Sequence, residues 1–153
     1  MPGQWFDEFE VGQVFEHEWT RTVTEFDNMQ FSLMTMNPQP LHIDRHAAAE
    51  TEFGQPLMNS LFTLGLMIGM SVNDTTLNTT VANLGMEAVK FPAPLFQGDT
   101  VRVRTTVLAT RASKSRPSQG IVTLRHEMFK QDDTLVATCD RAALIKGNPD
   151  KER

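Results

Sequence analysis

The chain has 153 residues, of which 40% are hydrophobic and one is a cysteine, and its formal net charge at pH 7 is -5. This length suits one domain around a single core, and the negative charge argues against proteins that bind nucleic acid through an excess of Lys and Arg. No apolar run is long enough to cross a bilayer and the first residues lack a secretion-signal pattern, so we expect a soluble, cytoplasmic protein.

The N-terminal third of the chain predicts one strand and two short helices. Residues 15–23 alternate between apolar and polar side chains, as a half-exposed strand does. Thr24 then begins a variant of the capping box, and apolar residues follow at helical spacing over 26–34. Two prolines within 37–40 end this helix, and a second short helix is expected over 44–52.

A longer helix is predicted to begin at Asn59 or Ser60, either of which can cap it, and to extend through Val72. It is apolar on nearly every side, so we expect it to be buried. Gly65 and Gly69 lie four residues apart and would let a sheet or a neighbouring backbone approach one side closely.

The rest of the chain alternates as four further strands, predicted at 81–91, 101–110, 121–131 and 135–146, with a hairpin turn at 131–134. A long apolar helix between an N-terminal strand and several antiparallel strands predicts an α+β fold, in which an antiparallel β-sheet wraps around a central, largely buried α-helix. We expect a single domain over residues 1–147, a disordered tail at 148–153, and self-association. Cys139 falls in a strand pattern and is interpreted as a buried structural thiol.

His42 is the strongest candidate for chemistry. It alone among four histidines follows a proline-stiffened polar turn and precedes the apolar helix, so its imidazole can be held over a cleft. His17 and His126 lie in strand patterns and His46 on a short helix, where packed or solvated roles are expected.

Four segments, taken in order, resemble the MaoC-like hydratases of the hotdog superfamily. The resemblance covers nearly the whole chain and is carried by Asn37-Pro38-Gln39-Pro40-Leu41-His42-x-Asp44, Phe53-Gly54-x-Pro56, Phe91-Pro92-x-Pro94 and Gly98-Asp99-Thr100. It implies a helix wrapped by an antiparallel sheet, a homodimer or a larger assembly of dimers, and coenzyme A thioesters bound near the subunit interface. The activity it implies is the reversible addition of water across an enoyl thioester.

Under this resemblance His42 takes a proton from water and returns one to the α-carbon, which suits an imidazole with an unperturbed pKa of about 6.5. Ser60 stands where the family usually has a glycine whose amide contacts the enolate oxygen. Asn37 stands where the pattern Gly-Asp-x-Asn-Pro-x-His has its catalytic aspartate, so Asn37 is expected to position water or His42 and not to titrate. Asp27 and Asp44 are alternative carboxylates, or simply helix-start residues.

Segments 59–65 and 113–117 resemble a subgroup of hydratases for branched dicarboxylic acyl-CoAs such as mesaconyl-CoA or itaconyl-CoA. A free carboxylate on the substrate calls for a cation, for which Lys114 and Arg116 are candidates unless they form only a solvated basic turn. Candidates for contacts with the coenzyme A phosphates are Arg102, Arg104 and Arg111, which could instead be strand charges that deter edge pairing. No metal is expected, and no cofactor beyond the coenzyme A of the substrate.

Two other functions remain open at this point. A hotdog thioesterase would use the same carrier, but such enzymes usually place an acidic residue at the start of the central helix, where this chain has Asn59 and Ser60. A non-catalytic acyl-CoA-binding subunit is the alternative suggested by Asn37 in place of an aspartate.

Overall fold

In the computed structural model, which describes residues 3–152, six strands form one antiparallel sheet and a long helix packs against its inner face. The strands are β1 (Val14–Glu16), β2 (Arg21–Thr22), β3 (Thr80–Lys90), β4 (Thr100–Ala112), β5 (Gln119–Lys130) and β6 (Leu135–Lys146). The α-helices are α1 (Glu25–Met34), α2 (Pro40–Ile43), α3 (Arg45–Ala49) and α4 (Ser60–Thr75), and 3-10 turns occupy Phe6–Glu8 and Pro149–Glu152. The sheet order is β1-β4-β5-β6-β3, with β2 also paired to β4, which confirms the predicted architecture.

The predicted first strand is interrupted. The register pairs Glu16 with Arg104 and Arg21 with Val101. Between these two pairs the chain advances five residues in this segment but three residues in β4. The extra residues leave the ladder after His17, whose side chain turns into the core. A strand that was predicted to run continuously over 15–23 is therefore two short strands joined by a bulged segment.

Helix α4 is buried along one stripe, which faces the sheet. The residues of this stripe recur every fourth position, at Thr63, Met67, Ser71 and Thr75. Gly65 and Gly69 lie on the opposite side, where a Cβ atom added to either glycine would meet nothing within 4 Å. Within one chain the expectation of burial on nearly every side is therefore wrong, and the glycines do not receive a neighbouring backbone.

A polar layer crosses the core between two apolar clusters. On three adjacent strands it is formed by Thr105, His126 and Arg141, each flanked by apolar core residues two positions away. The Nε of Arg141 donates to Nε2 of His126 at 3.2 Å, so Nδ1 of His126 carries the ring hydrogen and donates to Thr105 Oγ1 at 2.9 Å. The Thr105 hydroxyl is then free to donate to Nε2 of His17 at 2.8 Å, and Nδ1 of His17 donates to Asp74 on α4 at 2.7 Å. This series of hydrogen bonds ties the C-terminal end of α4 to the middle of the sheet.

Strand β3 forms one end of the sheet, since its pairing within the described residues is with β6. Its surface is largely exposed, and it carries solvent-facing apolar side chains at Leu84, Met86 and Val89. A long apolar edge of this kind is a template for pairing with another chain.

The C-terminal tail was predicted to be disordered from 148, but residues Pro149–Glu152 form a 3-10 turn. The turn is held because Asp7 accepts a hydrogen bond from the Asn148 N–H and forms an ion pair with Lys151 at 2.6 Å. Residues 1–2 and 153 lie outside the described part, and the predicted limits of the domain stay a prediction. Within 3–152, no helix has the length and apolar character that crossing a membrane requires.

Candidate active site

His42 lies in the short helix α2, which begins at Pro40, and its ring is half-buried. Its Nδ1 is 2.7 Å from the carbonyl oxygen of Leu57, and the N–H of Leu57 in turn donates to the carbonyl of Leu41 at 3.2 Å. A carbonyl oxygen only accepts, so the contact requires a hydrogen on Nδ1, and in the neutral ring this selects the Nδ1–H tautomer. The Nε2 nitrogen is therefore left with the lone pair that a general base needs.

The N-terminal end of α4 provides backbone donors. Asn59 is the N-cap, and its side-chain oxygen accepts from the N–H of Leu61 at 3.0 Å. Ser60 is the first residue of the helix and is exposed, and no acceptor within residues 3–152 lies in hydrogen-bond range of its N–H. A free N–H at the positive end of a 16-residue helix is suited to an oxygen that gains negative charge.

A cavity of about 230 Å³ opens beside this helix end. Its polar wall residues are Ser60 and Thr63, and the rest of the wall is apolar, formed by Phe53, Leu57, Met58, residues 91–95 and Val136. Parts of the segments 53–56 and 91–94, whose resemblance to the family was noted above, therefore meet in one wall. His42 is not itself part of the wall. It is joined to the wall by the hydrogen bond between its Nδ1 and the carbonyl of Leu57, which is a wall residue.

Helix α1 supports this site with a polar buried face. Asn28 is wholly buried, and its side-chain nitrogen donates to the carbonyl of Leu57 at 3.0 Å while its side-chain oxygen accepts from the N–H of Asn59 at 2.9 Å. Ser32, one turn later, accepts from the side-chain nitrogen of Asn59 at 3.1 Å. Sequence reasoning missed Asn28; the available signal was two polar residues four positions apart in a helix whose other side is apolar.

Asn37 is part of the turn that leads to His42. Its side-chain oxygen accepts from the N–H of Gln39 at 3.1 Å, and its own N–H donates to the carbonyl of Ser32 at 2.8 Å. Within the described part of the chain no hydrogen bond joins Asn37 to His42. Asn37 therefore shapes the turn, and its amide hydrogens are left for another partner.

The alternative carboxylates are helix caps. Although burial alone would raise the pKa of Asp27, hydrogen bonds from Thr24 and Arg21 lower it below its ordinary value. Asp27 completes the capping box of α1, and Asp44 caps α3 by accepting from the N–H of Ala47 at 2.9 Å. Both residues thus have the helix-start role that was the simpler of their two interpretations.

The predicted cations lie away from the cavity. Lys114 and Arg116 are exposed at the β4–β5 turn, whereas the cavity adjoins the segment that leads into the other end of β4, a strand of 13 residues whose contour length is about 40 Å. On the outer face of the sheet, Arg102 forms an ion pair with Asp133 and Arg104 with Glu16, and both guanidinium groups lie over the ring of Phe129. Arg111 is exposed near the end of β4.

Two further expectations concern Cys139 and metal ligands. Cys139 is wholly buried, which confirms the predicted burial, and burial raises the pKa of its thiol. The described residues contain no group of three or more His, Cys, Asp or Glu side chains placed to hold a metal ion.

Comparison with known proteins gives a consistent result. The sequence pattern of the family described as "MaoC like domain" matches residues 8–128. The chain is 29% identical over 152 residues to the beta-methylmalyl-CoA dehydratase of Chloroflexus aurantiacus, covering 95% of this chain and 41% of the relative. It is 28% identical over 151 residues to the mesaconyl-CoA hydratase of Cereibacter sphaeroides, covering 94% of this chain and 41% of the relative. The chain thus spans about two fifths of the length of these relatives.

A protein of Mycobacterium tuberculosis whose structure has a double hotdog fold superposes on this chain with a TM-score of 0.87 and 28% identity. The match covers 97% of this chain and 46% of that one. The described residues therefore adopt the hotdog fold, as the resemblance implied.

Proposed function

This chain belongs to the family of MaoC-like domains, and from that premise we propose that it is a hydro-lyase that reversibly adds water to an enoyl-CoA thioester. The observation that carries the proposal is that a positioned imidazole and a free helix N–H are both joined to one short segment, residues 57–60, which forms part of the cavity wall. His42 has its Nδ1 fixed on the carbonyl of Leu57, and Ser60 lies in the wall of the adjoining cavity.

In the proposed reaction the Nε2 atom of His42 removes a proton from water as the water oxygen bonds to the β-carbon. The electrons of the carbon–carbon double bond move toward the thioester, and the enolate oxygen that forms accepts from the N–H of Ser60. His42 then returns the proton to the α-carbon, which completes hydration, and the reverse sequence eliminates water. Asn37 has free amide hydrogens after bonding Gln39 and is proposed to orient the attacking water.

We propose a short, branched acyl group, with the dicarboxylic mesaconyl and itaconyl thioesters as the specific candidates. The names of two relatives support a branched substrate. The small apolar cavity supports a short chain, but its wall contains no cation to pair with a second carboxylate. A contact from Lys114 or Arg116 would therefore have to come from the corresponding turn of a second copy.

We also propose a second copy of the chain and the coenzyme A phosphates as partners. A homodimer is supported by the apolar edge of β3, and Arg102, Arg104 and Arg111 are proposed to meet coenzyme A phosphates. No cofactor is proposed besides the coenzyme A carried by the substrate.

The test compares wild type with His42→Ala on crotonyl-, mesaconyl- and itaconyl-CoA, following both the enoyl thioester absorbance and the release of free thiol. We expect hydration by wild type and a loss of about a hundredfold or more in His42→Ala. His46→Ala is the matched control, because His46 is exposed on the next short helix, and it should retain full activity. Release of thiol without hydration would indicate a thioesterase, and neither reaction with retained acyl-CoA binding would indicate a non-catalytic subunit.

Lys114→Ala and Arg116→Ala separate the candidate acyl groups. A selective rise in KM for mesaconyl- or itaconyl-CoA would support the dicarboxylic substrate. Equal activity of both variants and wild type on every thioester would remove these two residues from the proposal.

A further inference from the structure

One buried side chain connects the two halves of the proposed active site. Asn28 projects from α1 and is wholly buried. Its nitrogen donates to the carbonyl of Leu57, which also accepts from His42, and its oxygen accepts from the N–H of Asn59, the residue before Ser60. Both of its polar groups are therefore used, one toward each half of the site.

We propose that Asn28 is a positioning residue for the hydration reaction, setting the distance between the imidazole of His42 and the N-terminal end of α4. This inference rests on the proposed function. Asn28 is not in the cavity wall, so it acts through Leu57 and Asn59 and not on the substrate. The imidazole must reach the attacking water while the Ser60 N–H reaches the thioester oxygen, so the distance between these two groups matters. An error of about 1 Å in such a distance can reduce the rate a hundredfold.

The chemistry of this position requires an amide. The Leu57 carbonyl needs a donor and the Asn59 N–H needs an acceptor, and a side-chain amide supplies both at the length of Asn28. An aspartate keeps the acceptor but donates to the carbonyl only while it is protonated, and once ionised it places a repelling oxygen there, whereas an amide serves both groups at every pH. An apolar residue supplies neither group and leaves a buried backbone N–H unpaired.

Neighbouring groups support both of these bonds. Asn59 is also held by Ser32, which accepts from its side chain. On the other side, Asn28 and His42 are the side chains that donate to the Leu57 carbonyl among the described residues. The peptide group of that carbonyl is also held by its own N–H, which Met58 donates to the carbonyl of Leu95 at 2.9 Å, so Asn28 acts within a backbone that is fixed on both sides.

The decisive variant is Asn28→Asp, which preserves size and the bond from Asn59. At a pH where the new carboxyl is ionised, we expect kcat to fall about tenfold to a hundredfold with little change in KM, because position 28 lies outside the cavity wall. We also expect the loss to deepen as the pH rises, because burial raises the pKa of the new carboxyl, which can donate to the Leu57 carbonyl while protonated and repels it once ionised. A purely structural role would alter the melting temperature without adding this pH dependence to kcat.

Three companion variants complete the test. Asn28→Ala should lower kcat further, Ser32→Ala should lower it less and leave the pH profile in place, and Gln30→Ala, on the exposed side of α1, should match wild type. Inactive wild type would contradict the proposed function itself. Active wild type together with an Asn28→Asp variant of unchanged kcat and unchanged pH profile would overturn the role of Asn28, as would failure of both Asn28 variants to fold.

Discussion

At the scale of single residues, the proposed site depends on a backbone hydrogen that no side-chain deletion removes. Ser60 contributes its N–H at the first position of α4, where proline is well tolerated because that N–H has no partner within the helix. Asn59 has φ -58° and ψ 123°, which a residue preceding proline readily adopts. Proline at position 60 can therefore remove one hydrogen and leave the helix intact.

We predict that Ser60→Pro lowers kcat for hydration by about a hundredfold to a thousandfold, the usual effect of losing one oxyanion donor. Ser60→Ala keeps the N–H and should retain most activity. Steady-state kinetics of the two variants, with circular dichroism to confirm the helix, provide the comparison. Equal activity in both would remove the Ser60 N–H from the mechanism.

The residues of the proposed site could be predicted from the sequence only where a local pattern marks them. His42 stands out because two prolines precede it, and Ser60 because it begins an apolar run. Asn28 was missed for a physical reason: the polar pair that it forms with Ser32 marks a helix face but no role, and its partners Leu57 and Asn59 are 29 and 31 residues away. The position of Lys114 and Arg116 relative to the cavity could not be predicted either, because it depends on the length of β4, which a motif resemblance does not give.

At the scale of elements, α1 ends in a strained position. Met36 has φ 58° and is exposed, and the carbonyls of Ser32 and Leu33 accept from the N–H groups of Asn37 and Met36. This is the Schellman arrangement, in which the left-handed residue is usually glycine. A methionine there has a steric penalty that a glycine avoids.

We predict that Met36→Gly increases the free energy of unfolding by about 0.5–1 kcal/mol, because the relief of strain exceeds the extra entropy of the unfolded glycine. Denaturant titration gives the value directly. Gln30→Gly, at an exposed position inside the helix, is the control and should be destabilising by a similar amount. Destabilisation by both substitutions would contradict the assigned strain.

Element type was predictable because alternation and capping are local. The last strand was predicted with its observed limits, and the capping box of α1 at Thr24 is present. The bulge after His17 was not predictable, because the side chains of 15–23 continue to alternate while the hydrogen bonds of His17 turn it inward. Burial of α4 was overestimated because an apolar composition does not reveal which faces another chain would cover.

At the scale of the whole molecule, the polar layer makes stability depend on pH. Burial, followed by the charge of Arg141, lowers the pKa of His126 to about 3. The unfolded chain has an ordinary histidine with a pKa of about 6.5, so between these values the unfolded state binds a proton that the folded state does not. Stability from this group is therefore present above pH 6.5 and is lost as the pH falls.

We predict that the free energy of unfolding decreases by about 1.4 kcal/mol per pH unit through this residue as pH falls from about 6 to 5. His126→Gln retains a donor and an acceptor without titrating, and its stability should vary less steeply over the same interval. Denaturant titrations at several pH values measure both slopes. Identical slopes would mean that His126 already binds a proton in the folded state.

The exposed edge of β3 predicts how copies associate. Leu84→Lys places a charge on an apolar edge and should weaken the proposed homodimer, and light scattering after size-exclusion chromatography would report the shift toward monomer. Gln30→Lys adds the same charge on α1 and should leave the dimer intact. A dimer unaffected by Leu84→Lys would place the contact on another surface.

The single cysteine can report how often the core opens. Cys139 lies in the core cluster beneath α4, so a thiol reagent can reach it only when the sheet and helix separate. The labelling rate of the native protein, divided by that of the unfolded chain, therefore measures the fraction of time the core is open. The same reaction can report whether substrate binding keeps the core closed, with no added probe and no other thiol to confuse the signal.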